Sequence, residues 1–306
     1  MSDVITDERW AALLDTRASD PHAIRVAYQR RERPRSLLSG NGTLFLVAAD
    51  HPARGALGVG ANPLAMADRR DLLRRLMIAL ADPRVDGLLA TPDIVEDLLL
   101  LGGLEGKVVI GSMNRGGLAG ASWEIDDRFT AYDAESIAEF GLDGGKLLLR
   151  LVDSDRGTAS TLAASSAAVT ALARRELPVF VEPLPYEWDD TGRLVLRRDD
   201  TSLARAITIA AGLGVTSAWT WLKLPAPAPG SSVLDSTTMP VVVLGGVPSG
   251  DLDADMAAWG AACAHPAVRG LVVGRALLYP PGDDVAAAVA AAADILATSR
   301  KGRTTP

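Results

Sequence analysis

The chain has 306 residues, 48% hydrophobic and 23% charged, enough for a large core, and its formal net charge of −7 excludes a broad nucleic-acid or anionic-membrane surface. One cysteine, Cys263, excludes an internal disulfide, and no uninterrupted apolar run reaches membrane-spanning length. The opening residues, MSDVITDERW, have neither a basic nor an apolar leader segment, so a cytoplasmic location is expected.

An amphipathic pattern predicts one helix over roughly 7–30, the main part of an N-terminal extension reaching residue 40. Short apolar runs then recur. They are 44–49 LFLVAA, 86–90 DGLLA, 107–112 KVVIGS, 144–151 GGKLLLRL, 178–182 PVFVE, 216–223 TSAWTWLK, 240–245 PVVVLG and 269–274 RGLVVG. Between them the pattern is helical, at 65–80, 91–101, 131–140, 158–175, 199–212 and 252–264. An Ala-rich helix near 284–298 and a polar tail over 299–306 close the chain. Alternation of this kind implies a parallel sheet with helices outside it. Eight strands with no Gly/Ser/Pro-rich linker predict a single (β/α)8 barrel over 1–306. The doubly wound rival lacks both the GxGxxG turn and the GxxxxGK[ST] loop.

Active sites of such barrels lie at the carboxyl ends of the strands. The polar residues there are Asp50 and His51 after the first strand, Asn114 and Arg115 after the third, and Lys146 and Arg150 in the fourth. Glu182 ends the fifth, Lys223 the sixth, Gly245 and Gly246 follow the seventh, and Gly274 and Arg275 the eighth. Of 31 basic residues only four are lysines, so the two inside apolar strands stand out. Ammonium groups about 5 Å apart repel by roughly 3 kcal/mol at an effective dielectric near 20, which makes a neutral, nucleophilic amine accessible. Alternatively, Lys146 and Lys223 are ion-pair partners of Glu182 or Asp50. Glu182, followed by the strand-ending Pro183, is either an acid/base or a counter-ion; Asp50 is either a site residue or a helix cap, and His51 is read as a structural or rim residue. The turns VVVLGGVPSGD and GLVVGRALLYP have the make-up of a phosphate cradle, glycines exposing backbone N–H groups and Arg275 adding charge. The three histidines are scattered and show no metal-ligand spacing, no GxSxG elbow occurs, and no cofactor is implied.

The stretches AADHPARG, EIDDRFTAYDAESIAEFGLDGGKLLLRL, FVEPLPYEW, WLKLPAP, VLGGVPSGD and GLVVGRALLYP resemble the class I, Schiff-base aldolases of barrel fold. That group contains the tagatose-bisphosphate, deoxyribose-phosphate and archaeal-type fructose-bisphosphate enzymes, and the resemblance covers most of residues 44 to 280. It implies that Lys223 forms the imine, that Glu182 shuttles the proton beside Lys146, and that Asp50 contacts the substrate. Gly245, Gly246, Gly274 and Arg275 correspond to the phosphate site. Arg150 stands where relatives often carry an aromatic residue, as a substrate contact, and DHPARG replaces the usual DQRG. The branch most similar is deoxyribose-phosphate-aldolase-like and associated with inositol catabolism. Its implied reaction is reversible cleavage of a phosphorylated ketose or keto-sugar acid, such as 2-deoxy-5-keto-gluconate 6-phosphate, to dihydroxyacetone phosphate and an aldehyde. The other readings are a phosphosugar isomerase or epimerase, and a non-catalytic phosphosugar-binding protein. A phosphorylated sugar is the expected partner, with a homo-oligomer compatible and no nucleic acid or membrane expected.

Overall fold

Eight parallel strands close on themselves in a computed structural model that describes residues 4–301. In chain order the strands are β1 Leu44–Ala48, β2 Gly87–Ala90, β3 Val108–Ser112, β4 Gly144–Leu151, β5 Val179–Trp188, the short β6 Leu194–Leu196, β7 Thr220–Pro225, β8 Val241–Leu244 and β9 Val268–Val273. Neighbours run β4-β3-β2-β1-β9-β8-β7-β5, and pairing of β4 with β5 completes the ring. The protein is therefore a single (β/α)8 barrel, with β6 an antiparallel extra folded onto the end of β5.

Alternation along each strand divides the apolar residues between two layers. Leu44, Leu46, Leu89, Ile110, Phe180 and Val242 face inward and form one buried cluster. Phe180 lies against Trp221 with ring centroids 5.4 Å apart, and Leu37 and Leu38, from the segment before β1, pack on the same cluster. Phe45, Val47, Leu147, Val181, Leu222 and Val243 face outward and join the core shared with the helices. These are α1 Asp7–Ser19, α2 His22–Arg30, α3 Arg69–Ala81, α4 Pro92–Leu100, α5 Ala134–Glu139, α6 Gly157–Ala173, α7 Asp200–Ala211, α8 Leu252–Cys263, α9 Arg275–Leu278 and α10 Val285–Lys301. Asp68, Asp133, Asp199 and Asp251 each accept a backbone N–H in the first turn of their helix, which sets where α3, α5, α7 and α8 begin. Among the described residues, no helix is long and apolar enough to cross a membrane.

Three expectations are corrected. The single helix over 7–30 is two, because the chain breaks at Asp20 and Pro21 before α2 restarts. The tail expected over 299–306 enters α10 as far as Lys301, and its remainder lies outside the described residues. Pro183 does not end β5, which continues to Trp188. β7 stops pairing with β5 at Val181, while β4 pairs as far as Pro185. The Pro185 carbonyl accepts from Arg197 on the β6 side, so alternation turns both prolines away from β4. The missing N–H of Pro183 thus falls on the flank that β7 has left, where no ladder bond is lost, and Pro185, on the same flank, only accepts from Arg197 where the β6 pairing begins.

Phe180 is wholly buried beneath the polar residues of the mouth. Phe180→Ala is expected to cost about 3–5 kcal/mol in urea unfolding, by removing transfer energy and leaving a cavity. Val195→Ala, at an exposed position of β6, is expected to cost about 1 kcal/mol or less.

Candidate active site at the carboxyl ends of the strands

Immediately above the apolar plug, the inward positions turn from hydrocarbon to charge. Leu46 and Ala48 lead to Asp50, Ile110 to Ser112, Phe180 to Glu182, and Trp221 to Lys223, each two residues further along its strand direction. Lys146 enters the same layer from β4. A spacing of two keeps side chains on one face of a strand, so the barrel itself aims these groups at its axis.

They meet in one continuous chain of contacts. Lys223 Nζ lies 2.6 Å from Glu182 Oε1, and Lys146 Nζ lies 2.5 Å from Glu182 Oε2 and 3.1 Å from Asp50 Oδ2. The same Asp50 oxygen accepts from Ser112 Oγ at 2.9 Å and stands 3.0 Å from Arg115 Nη1. Arg115 is oriented in turn by the Asn114 carbonyl, 2.6 Å from its Nε, while the Asn114 side chain bonds both backbone groups of Leu148 and extends the β3–β4 seam past its last ladder pair. All five charged residues are buried.

Burial alone raises the pKa of Glu182, but Lys146 and Lys223 outweigh it and bring the carboxyl down to about 2. Asp50 behaves alike: burial raises it, and Arg115 and Lys146 together hold it well below the usual carboxylate range. For Lys146, burial lowers the pKa against the pull of Asp50 and Glu182. Both lysines are thus ion-paired, and a carboxylate stands between the two ammonium groups.

Around this chain opens a cavity of about 220 Å³. Every residue expected at the site lines it: Asp50, Lys146, Arg150, Glu182, Lys223, Gly245, Gly246, Gly274 and Arg275. Gly246 adopts φ +68°, a left-handed turn that L residues rarely take. A Cβ on Gly274 would sit 2.3 Å from the Ala48 carbonyl oxygen, so only glycine lets β9 end this close to β1. Arg275 reaches the Gly58 carbonyl at 3.4 Å and leaves its buried Nε unpaired. Arg150 is differently engaged. Its Nη groups hold the loop after β3 through the Glu124 carboxylate, the Glu124 carbonyl and, at 3.1 Å, the Gly117 carbonyl.

Sequence reasoning missed Arg54, Tyr186 and Arg198, which also line the cavity. Arg54 grips the same loop, donating to Asp127 Oδ2 at 2.6 Å and to the Gly117 carbonyl at 2.5 Å. Tyr186 continues the inward series Phe180, Glu182, Leu184. The period of two carried through Pro183 and Pro185 was the signal that could have found it. Among the described residues, seven arginines and lysines and three carboxylates line the cavity, a local excess of positive charge in a protein of net charge −7. The arrangement can hold an anionic ligand and exchange protons between an amine and a carboxylate. No group of three or more His, Cys, Asp or Glu side chains suited to a metal ion occurs among the described residues.

A family model described as Cgl0159-like matches residues 42–293. The chain belongs to the Cgl0159-like family. The matched stretch begins just before β1 and ends within α10, so the whole cavity lies inside the Cgl0159-like region. The crystal structure of Cgl0159 from Corynebacterium glutamicum is similar at 48% identity and a TM-score of 0.93, covering 97% of this chain and 99% of that one. An archaeal fructose-1,6-bisphosphate aldolase, solved with its catalytic Lys covalently bound to the carbinolamine intermediate of the substrate, is similar at 16% identity and a TM-score of 0.64, covering 89% and 99%. A fructose-bisphosphate aldolase from Slackia heliotrinireducens gives 15% identity and a TM-score of 0.59, covering 100% and 94%. At such identities the likeness to the two aldolases is one of fold. Comparison with the curated proteins gives no match.

The depressed carboxylate makes a prediction about acid. Because the folded-state pKa of Glu182 lies below its ordinary 4.5, its contribution to stability is present above that value and is lost as pH falls toward about 2. Urea midpoints of the wild type and Glu182→Gln should differ most at neutral pH and converge below pH 4.5, by on the order of 3 kcal/mol over the window. A difference constant with pH would show that the ion pairs set no pKa.

Proposed function

We propose that the protein is a class I aldolase that reversibly cleaves a phosphorylated ketose or keto-sugar acid to dihydroxyacetone phosphate and an aldehyde through an imine on Lys223. The observation that carries this reading is the 2.6 Å contact between Lys223 Nζ and Glu182 Oε1 at the floor of a cavity rich in cationic groups. A lysine attacks a carbonyl only as the free amine, and a carboxylate in direct contact is a receiver for its proton. Lys223 Nζ adds to the substrate ketone, and the same carboxyl returns a proton to the carbinolamine hydroxyl, which leaves as water. Glu182, again a carboxylate, then takes the proton of the hydroxyl one carbon beyond the bond to be broken. As that bond breaks, its electron pair moves into the iminium to give an enamine, and an aldehyde departs. Protonation of the enamine and hydrolysis release dihydroxyacetone phosphate and the amine. Lys146, between Asp50 and Glu182, fixes both carboxylates. Asp50 is the group placed to orient substrate hydroxyls.

The cationic surplus supports an anionic substrate, with Gly245, Gly246, Gly274 and Arg275 cradling its phosphate. It also suits the finer reading, an enzyme of inositol catabolism of the deoxyribose-phosphate-aldolase-like type acting on 2-deoxy-5-keto-gluconate 6-phosphate. That substrate carries a phosphate at one end and a carboxylate at the other.

Borohydride reduction in the presence of dihydroxyacetone phosphate tests the imine. A permanent adduct on the peptide TWLKLPAPAPG, abolished by Lys223→Met, is the expected result. An adduct on Lys146 reverses the roles of the two lysines, and the absence of any adduct overturns the imine mechanism in favour of a base-catalysed isomerase or a binding protein. For the cradle, Arg275→Ala is expected to weaken binding of phosphorylated substrate by about 1.5–3 kcal/mol, the worth of one charge-assisted hydrogen bond. Calorimetric titration of the two proteins gives the difference directly.

A further inference from the structure

His51 is a cavity-lining side chain that the mechanism above leaves without a role. Its backbone is fixed: the His51 carbonyl accepts from Arg54 N at 3.0 Å and from Ala56 N at 3.3 Å in the turn that follows β1, and Gly55 closes that turn at φ +73°. The ring sits against a second strand end. It lies over the turn after β9, where a Cβ on Gly274 would come 3.3 Å from His51 Cε1. Yet among the described residues the imidazole has no hydrogen-bond partner. Its Nδ1 is buried and unpaired, 3.8 Å from Asp50 Oδ1 and too far for a bond. A cavity-lining ring whose buried Nδ1 has no partner, beside an arginine whose buried Nε also has none, leaves polar atoms that the described residues do not satisfy.

We propose that His51 is a phosphate ligand of this site, its imidazolium donating to the substrate phosphate through Nε2 while the Asp50 carboxylate, 3.8 Å from Nδ1, balances its charge. The proposal rests on the reading of the Gly274–Arg275 turn as the phosphate cradle, and adds to it the residue that faces this turn from β1. Charges reach His51 from four directions: Asp50 beside it, Arg275 after β9, Lys223 on β7 and Glu182 on β5. Without an anion, burial first of all, together with Arg275 and Lys223, pushes the imidazole down to about 3 against the pull of the two carboxylates, so the ring is neutral at pH 7. A phosphate dianion at Arg275 offsets that cation and adds negative charge beside the ring, which favours the charged form against burial, and the ring takes one proton from solvent as the anion binds. Charge on the ring then makes its hydrogen bond to the phosphate ionic, with the Asp50 carboxylate close by on the other side.

Only three histidines occur in the chain, so nitrogen-15 spectra of ring-labelled protein resolve every imidazole. His51 is assigned by its disappearance in His51→Asn. Titration at pH 7 with inorganic phosphate, and separately with dihydroxyacetone phosphate, is expected to carry both His51 nitrogens to the positions of a protonated ring. His51→Asn should weaken binding of both anions roughly tenfold or more. His51→Gln, whose amide nitrogen reaches the Nε2 position, should restore part of it. A ring that stays neutral or unmoved at saturating dihydroxyacetone phosphate, or unchanged affinity in both variants, overturns the proposal. Borohydride separates the two readings: an adduct on Lys223 with an unmoved ring sinks His51 alone, whereas a ring protonated by inorganic phosphate without any adduct leaves His51 standing and sinks the imine.

Discussion

One carboxylate, Glu182, lies between two buried ammonium groups, and the mouth of the barrel is organised around that contact. Removing Lys146, Lys223 and Glu182 from water costs several kcal/mol per ion, and mutual attraction repays this only with close, well-aligned partners. Distances of 2.5 and 2.6 Å to separate oxygens of one carboxyl satisfy both lysines at once. Asp50 extends the arrangement to Arg115 and Ser112, so β1, β3, β4, β5 and β7 are tied to each other through side chains as well as through the sheet. Take out the carboxylate and two ammonium groups are left facing each other in a medium that screens them poorly. The position therefore has a structural reason to be acidic, independent of any reaction.

That contact depends on what lies beneath it. Leu46, Ile110, Phe180 and Val242 fill the barrel, and Leu37 and Leu38 pack on them from the N-terminal segment, so the charged layer rests on packed hydrocarbon. Packing against rigid strands fixes each side chain near one rotamer, which is how a spacing of two residues in sequence becomes a distance of under 3 Å in space. Apolar filling and buried charge are thus separated along the barrel axis, with the filling below and the charges above.

Much of this was legible in the chain. Runs such as LFLVAA and PVVVLG are short, apolar and punctuated by turn residues, and all eight barrel strands fall on them to within a few residues except at the end of β5. The polar residues at their carboxyl ends were legible for the same reason: once the strands are placed, the barrel dictates where Asp50, Lys146, Glu182 and Lys223 point. What stayed hidden depends on contacts distant in sequence. Pro183 reads as a terminator because a missing N–H is costly in a paired strand, and only the early departure of β7 removes that cost. With β5 cut short, Tyr186, the β6 hairpin and Arg198 were lost together. Arg54 was hidden by a different cause, since its partners Asp127 and Gly117 come from a loop whose path no periodicity describes. The same loop explains Arg150. On β4 it points inward as expected, but Glu124 reaches it from outside the barrel.

Charge distribution distinguishes the two classes of arginine at the mouth. Arg54 and Arg150 have carboxylate partners on the loop after β3, so their charge is balanced locally and they keep that loop over the cavity. Arg275 has a single long contact to a carbonyl and an unpaired Nε, and the exposed Arg198 has no carboxylate partner within 4.0 Å among the described residues. Adding the surplus of Lys146, Lys223 and Arg115 over Asp50 and Glu182, the inner wall carries positive charge that the protein does not neutralise. A field of that sign, focused in a cleft of a protein that is negative as a whole, is favourable to small anions there. The fold places the charges, and the unbalanced ones gather at the end of the cavity where β9 closes on β1.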